Sequence, residues 1–222
     1  MKFQLVFDLK GVLTERAAVE GFGYYYLLRS LREGRREVPR TMLRGAVAAI
    51  TRKLSPILAY SFGDGAFNGA TRELVESFAE HYARDLPRES LVVMRSLGRL
   101  DYEIFVITHD VRDLSEKAYE RMGIEEENVI DNRFTWRGDR VSGIELIVDD
   151  KLHAYYRMIK EGKVDPKRCV IVGHSREEVP LASLARFAIG PKDSDSAFKR
   201  RAHVLYEDIL ELPRLLEMLV ES

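Results

Sequence analysis

The sequence predicts an α/β fold with a doubly wound, mostly parallel sheet and an inserted helical segment. Three short apolar runs, at residues 3–7, 103–108 and 169–173, have the length and continuity of strands that are buried on both faces. Segments with helical periodicity separate these runs, and this alternation is typical of a parallel sheet covered by helices. A chain of 222 residues is long enough for one such domain with an insertion.

Composition restricts the classes of function. The formal net charge of −1 gives no electrostatic footprint for nucleic acid, although arginines cluster within residues 35–44. No apolar run approaches the length that spans a membrane. Cys169 is the only cysteine, so no disulfide can form within the chain. Together with the absence of a cleavable leader, this favours a cytoplasmic protein.

The segment between the first two strands is predicted to be helical. Apolar residues recur at helical spacing over residues 15–37, 41–53 and 71–83. Residues 61–70 are rich in glycine, and we interpret them as a turn between helices because no apolar strand precedes them, as it would in a phosphate-binding loop.

The rest of the chain alternates between strands and helices. Further strands are predicted at residues 129–132, 133–137, 140–144, 187–189 and 203–206, with a tight turn at Gly138 and Asp139. Helices are predicted at residues 87–100, 111–122, 151–161, 179–185 and 209–220. Gly123 is expected to end the helix over residues 111–122.

Three of the predicted strands end in polar residues. Asp8 follows the first strand, Thr108 ends the second, and His174 follows the glycine that ends the third. Because the carboxyl ends of parallel strands meet at one crevice in a doubly wound sheet, we expect these side chains to converge. The alternative for Asp8 is a capping acid before a glycine turn.

Residues 3–14 resemble motif I of the haloacid dehalogenase (HAD) superfamily, an apolar strand followed by Asp, any residue, Asp, Gly, Thr, Leu and Thr or Val. Here residues 8–14 read DLKGVLT. The resemblance implies that Asp8 is the nucleophile. One position departs from the family, because the second aspartate, the general acid and base of its phosphatases, is Lys10 in this chain.

Later positions are similar to the other motifs of the family. Thr108 matches the motif II hydroxyl residue that holds a phosphoryl oxygen, and Lys151 matches the motif III lysine of the phosphoserine-phosphatase branch. An ammonium there would neutralise charge as it shifts between the nucleophile and the phosphoryl oxygens. Motif IV, with its two acids, reads GHSREE at residues 173–178, so His174 and Glu178 replace both aspartates.

Mg²⁺ is the cofactor that the resemblance implies, with Asp8, His174 and Glu178 at the positions of its ligands. Mg²⁺ prefers six oxygen ligands, so an imidazole in place of a carboxylate weakens the site. An ammonium of Lys10 beside Asp8 would act in the same direction. We therefore expect a metal-poor crevice with a net positive charge, in which Lys10 takes over the charge of Mg²⁺.

Other titratable residues lie next to these motifs. Asp149 and Asp150 immediately precede Lys151, and the start of a helix explains them better than metal binding does. His109 follows Thr108 and could reach the crevice, where it or His174 could act as a base.

The resemblance covers nearly the whole chain and implies a Rossmann-like core at residues 1–14 and 87–222, with a C1-type helical cap at residues 15–86. It implies a phosphatase that acts on a small phosphorylated molecule through an aspartyl-phosphate at Asp8. Because Lys10 and His174 depart from the family, two alternatives stay open: a pseudoenzyme that acts as a phosphate-binding or interaction module, and a metal-independent dehalogenase-like hydrolase. The sequence does not give the substrate or the oligomeric state.

Overall fold

The structure is a computed structural model that describes residues 3–32, 65–100 and 102–221. The predicted helix over residues 41–53, the end of the predicted helix over residues 15–37, and the first four residues of the glycine-rich segment lie outside the described residues. No helix in the described ranges is both long enough and apolar enough to cross a membrane.

The described residues form a seven-stranded sheet with the strand order β4-β3-β2-β1-β5-β6-β7. Neighbouring strands are parallel except for the antiparallel hairpin β3–β4. The strands are β1 (Gln4–Phe7), β2 (Glu103–Val111), β3 (Val129–Arg137), β4 (Arg140–Glu145), β5 (Cys169–Val172), β6 (Phe187–Pro191) and β7 (Val204–Tyr206). The predicted fold class, a doubly wound and mostly parallel α/β sheet, is confirmed.

Helices cover both faces of this sheet. In chain order they are α1 (Ala18–Arg32), α2 (Arg72–Arg84), α3 (Arg88–Arg99), α4 (Arg112–Met122), α5 (Lys151–Lys160), α6 (Val179–Leu184), α7 (Ser196–Arg201) and α8 (Leu212–Glu221). Side chains of β1 alternate between the faces, as a pleated strand requires. Leu5 and Phe7 pack in the cluster that α3, α4 and α8 cover, and Val6 packs in the cluster that α5, α6 and α7 cover.

Helices α1 and α2 belong to the predicted cap, and they share a third hydrophobic cluster with the β3–β4 hairpin and α4. Phe22 of α1 lies at its centre, with ring centroids 5.3 Å from Phe78 of α2 and 6.0 Å from Phe134 of β3. The described part of the cap segment therefore packs directly on the core. The division into a core and a cap at residues 14 and 87 stays a prediction.

Two strands differ from the prediction in a way that bears on the site and on the sheet. β2 continues three residues beyond Thr108, because Val111 still pairs with Asn132 of β3 after a shift of register. β3 is one continuous strand rather than two, pairing with β2 through its first half and with β4 through its second. The turn at Gly138, with φ of 64°, and the helix end at Gly123, with φ of 72°, agree with the prediction.

Candidate active site

The carboxyl ends of β2, β1 and β5 lie side by side at the centre of the sheet. Phe7 of β1 pairs with Val106 of β2 and with Val172 of β5, so the residues that follow these positions are brought to one edge. Asp8 follows β1, and its backbone N–H donates to the carbonyl oxygen of Val172 at 3.4 Å. The ends of β1 and β5 are thus adjacent, and Thr108 lies beside them within β2, which ends only at Val111.

Lys151 is the first residue of α5, and its side chain reaches the end of β1. Its ammonium donates to Oδ2 of Asp8 at 2.7 Å and to Oε1 of Glu178 at 2.5 Å, and it lies 3.4 Å from Oε2 of Glu177. Both Lys151 and Glu178 are almost fully buried, with 3% and 2% of their surfaces exposed. The carboxylate of Asp150 accepts the N–H of Leu152 and so begins the helix that positions this ammonium.

The charged groups of this cluster shift one another's pKa values. Burial raises the pKa of Asp8, and the Lys151 ammonium opposes that rise. Burial would also raise the pKa of Glu178, but the ammonium and the backbone N–H of Ser175 outweigh it and lower this pKa to about 2. Burial would lower the pKa of Lys151, but Asp8, Glu178 and Glu177 together raise it. The ammonium therefore stays charged at neutral pH.

His174 lies over Gly11, three residues after Asp8. A Cβ atom at Gly11 would overlap the imidazole ring, and the φ of 76° at Gly11 is in the left-handed region that favours glycine. The Nδ1 atom of His174 lies 3.8 Å from Oε2 of Glu178. Ligand atoms of Asp8, His174 and Glu178 all lie within 4.8 Å of one another.

Thr108 and His109 complete the β2 side of the site. Thr108 is buried, and its hydroxyl oxygen accepts the backbone N–H of Asp110 at 3.3 Å. The Nδ1 atom of His109 lies 3.1 Å from the carbonyl oxygen of Val148, and Nε2 lies 3.5 Å from Oε2 of Glu177. Burial and the Lys151 ammonium lower the pKa of His109, so its ring is neutral at pH 7 with the proton on Nδ1.

The structure corrects the expectation for Lys10. Its ammonium donates to Oε1 of Glu20 on α1 at 2.7 Å, and no ion pair within 4.0 Å joins it to Asp8. The expected net positive charge of the crevice is also wrong, because Asp8 and Glu178 bury two carboxylates against the single ammonium of Lys151. The partner of Asp8 is Lys151, and the charge of Lys10 is neutralised at α1.

Solved structures of other proteins share this architecture. A phosphoserine phosphatase from T. onnurineus is 17% identical, with a TM-score of 0.63 over 98% of this chain and 95% of that chain. A phosphoserine phosphohydrolase-like protein from Francisella tularensis is 15% identical, with a TM-score of 0.73 over 97% of this chain and 100% of that chain. The chain has the phosphoserine phosphatase fold. This is the fold that the resemblance to the HAD superfamily predicts.

A HAD family hydrolase from Salmonella enterica has the same architecture at 12% identity, with a TM-score of 0.70 over 94% of this chain and 70% of that chain. No family model matches the sequence, and no curated protein is significantly similar to it. The likeness at these identities is therefore one of fold.

The residues that this phosphoserine phosphatase fold presents here do not suit Mg²⁺. One donor is an imidazole, whereas Mg²⁺ requires an octahedron of oxygens. Each carboxylate already gives one oxygen to the Lys151 ammonium. The second oxygen of Glu178 accepts the backbone N–H groups of His174 and Ser175, at 3.2 and 2.8 Å. Together with the imidazole, these bonds leave fewer oxygen donors than the six that Mg²⁺ prefers, although each carboxylate keeps lone pairs for one bond to an ion that needs fewer ligands.

Asp110 is a buried acid near the site that the sequence analysis missed. Its carboxylate accepts the backbone N–H groups of Ala18 at 2.5 Å and Val19 at 2.8 Å, so it caps α1 from 92 residues away. The sequence feature that could have revealed this role lies at the start of α1, the helix that Asp110 caps. Ala17, which precedes α1, has no side chain that can cap a helix, so the N–H groups of α1 require an acceptor from elsewhere.

The buried carboxyl of Asp110 should make the stability depend on pH. Burial raises the pKa of Asp110 from 3.8 to about 6, so the folded protein binds this proton more tightly than the unfolded chain does. The resulting stabilisation is complete below pH 3.8 and is lost as the pH rises through 6. A shift of this size corresponds to about 3 kcal/mol.

Asp110→Asn isolates this contribution. The difference in unfolding free energy between the wild type and this variant should change by about 2 to 3 kcal/mol between pH 4 and pH 8 in urea titrations. Burial also raises the pKa of Asp131 to about 6, and because Asp131 is present in both proteins its contribution cancels except for the small part that comes from the charge of Asp110. A difference that is the same at both pH values would contradict the assignment.

Proposed function

We propose that the chain is a HAD-superfamily phosphohydrolase that acts on a small phosphate monoester through an aspartyl-phosphate at Asp8. The observation that carries the proposal is the hydrogen bond between the Asp8 carboxylate and the buried Lys151 ammonium, at the carboxyl end of the central strand. A carboxylate held by a permanently charged cation at a strand end is suited to attack a phosphorus atom that carries negative oxygens.

In the first step, an oxygen of Asp8 attacks the phosphorus atom and the bond to the ester oxygen breaks. The Lys151 ammonium has two roles in that step. It opposes the rise that burial causes in the pKa of Asp8, and it neutralises charge that develops on the phosphoryl oxygens. The hydroxyl of Thr108, on the neighbouring strand, would donate to one of these oxygens. Water then attacks the aspartyl-phosphate and releases inorganic phosphate.

The acid and base of these steps differ from those of the family. Lys10 occupies the position of the second aspartate, but its ammonium is bonded to Glu20 and would have to leave it to protonate the ester oxygen. His109 is better suited to activate water, because its ring is neutral and its Nε2 atom, 3.5 Å from Oε2 of Glu177, is the basic nitrogen. We therefore expect slow turnover.

A binding module without turnover is the second candidate. Burial raises the pKa of Asp8, and a protonated carboxyl is not a nucleophile, while Lys10 cannot do the chemistry of the acid that it replaces. Such a pseudoenzyme would still bind a phosphate group, since an anion needs only the ammonium and the hydroxyl. Phosphate binding without phosphate release therefore separates the two candidates.

The experiment is a screen for inorganic phosphate released from generic and metabolite monoesters. Each assay is run with chelator, with Mg²⁺ and with Zn²⁺ or Co²⁺, and binding of phosphate and vanadate is measured by calorimetry in parallel. Release from at least one ester supports the phosphohydrolase. Binding without release from any ester would favour the binding module, and the absence of both would overturn both candidates.

A further inference from the structure

We infer that Asp8, His174 and Glu178 form a binding site for a divalent transition ion such as Zn²⁺ or Co²⁺, with preference over Mg²⁺. This inference goes beyond the proposed function and does not depend on it, because it concerns which ion the side chains bind in the absence of any substrate. It follows from the ring of His174, from the charge around it and from the positions of the three donors.

The Nδ1 atom of His174 is the first observation. It is buried, and it has no hydrogen-bond partner among the described residues. Leaving a buried polar atom without a partner costs free energy, so such an atom in a folded protein calls for an explanation. An imidazole nitrogen is a poor ligand for Mg²⁺ and a favourable one for Zn²⁺ and Co²⁺. A bound transition ion would therefore give this nitrogen a partner.

The surroundings of His174 fix its ring in one orientation. A Cβ atom built on Gly11 would overlap Nε2, so the Gly11 backbone packs close to this edge of the ring. The remaining ring nitrogen, Nδ1, is 3.8 Å from Oε2 of Glu178. The backbone N–H of His174 donates to the same carboxylate oxygen at 3.2 Å, which ties the residue to Glu178. Nδ1 and a carboxylate oxygen are thus held close together without a side chain between them.

The separations of the donor atoms suit an ion of this class. One atom each from Asp8, His174 and Glu178 lies within 4.8 Å of the other two. A tetrahedral ion about 2.1 Å from each donor requires donor atoms about 3.4 Å apart, so the most widely separated pair has to close by up to about 1.4 Å when the ion binds. Water would occupy the other positions of such an ion, because only three protein donors are present.

The local charge favours a cation. With Asp8 and Glu178 both ionised, as metal ligation requires, their two negative charges and the positive charge of Lys151 give the buried cluster a net charge of −1. Glu177, whose carboxylate lies 3.4 Å from the same ammonium, adds a further negative charge at the edge of the cluster. A divalent ion therefore enters an attractive potential, although its attraction is reduced by the ammonium.

The test uses the tag-free full chain, treated with chelator, without substrate. Calorimetric titrations with Zn²⁺, Co²⁺ and Mg²⁺ are compared between the wild type and three variants: His174→Ala, His174→Asp and His153→Ala. His153 is an exposed histidine on α5 and serves as the matched control. Visible absorption of the Co²⁺-loaded protein reports independently on nitrogen ligation.

We expect one Zn²⁺ per chain, bound at least about tenfold more tightly than Mg²⁺, and Co²⁺ absorption bands that depend on His174. His174→Ala should weaken Zn²⁺ binding at least about tenfold, and His174→Asp should shift the preference toward Mg²⁺, while His153→Ala should leave both affinities unchanged. Absence of Zn²⁺ binding, equal affinity for Mg²⁺, or Zn²⁺ binding that His174→Ala does not weaken would each overturn the inference. A chain that binds Zn²⁺ but releases no phosphate would refute the phosphohydrolase alone.

Discussion

Replacing Asp8 with asparagine should abolish the release of phosphate from any ester that the wild type hydrolyses. The amide cannot form the aspartyl-phosphate, so we expect a loss of at least about a thousandfold, the order seen when a nucleophile is removed from an enzyme. The variant should nevertheless fold. An amide oxygen can still accept from Lys151, and the substitution removes a carboxyl whose pKa is raised by burial. Its free energy of unfolding should stay within about 1 kcal/mol of the wild type.

Asp149→Asn is the matched control for this experiment. Asp149 is an exposed acid two residues before Lys151, and its carboxylate accepts the backbone N–H of Asp150. Phosphate release by this variant should equal that of the wild type. Full activity in the Asp8 variant would mean that another residue, or a contaminating enzyme, is the source of the phosphate.

The strands could be predicted from the sequence because a strand that is buried on both faces consists of apolar residues. The runs over β1 and β5 are apolar throughout, and a polar residue follows where each strand reaches the crevice. β2 was cut short in the prediction at Thr108, since a polar His109 and Asp110 indicate a loop when read from the sequence alone. Both are held in the strand by contacts with β3, α1 and the segment before α5.

The partners of the charged residues could not be read from the sequence in the same way. Lys10 has a long and flexible side chain, and which carboxylate it reaches depends on how α1 is placed over motif I. The structure places Glu20 there. Glu178 was expected only as a weak metal ligand, because its burial beside Lys151 depends on the short turn that follows β5. Register and burial, which only the folded chain defines, decided both pairings.

Replacing Lys151 with methionine should have the largest effect on stability. The ammonium bridges Asp8 and Glu178, and its loss leaves two buried carboxylates without a counter-charge. Removing one partner of a buried ion pair costs about 3 to 5 kcal/mol, and we expect a loss in this range at pH 7, measured by chemical denaturation. Lys160→Met removes an exposed lysine from the same helix and should change the free energy of unfolding by less than about 0.5 kcal/mol.

The loss should also depend on pH, and this dependence distinguishes unpaired charge from lost packing. Without the ammonium, burial raises the pKa of Asp8 and of Glu178 in the folded protein above their unfolded values. The variant is then stabilised by protonation below about pH 4 and loses that stabilisation as the pH rises. Lys151→Met should therefore be closer to the wild type at pH 4.5 than at pH 8. Adding Glu178→Gln, which removes one charge and keeps an acceptor for the N–H of Ser175, should restore part of the loss at pH 8. A loss of equal size at both pH values, unaffected by Glu178→Gln, would mean that Lys151 contributes through packing and not by neutralising the two acids.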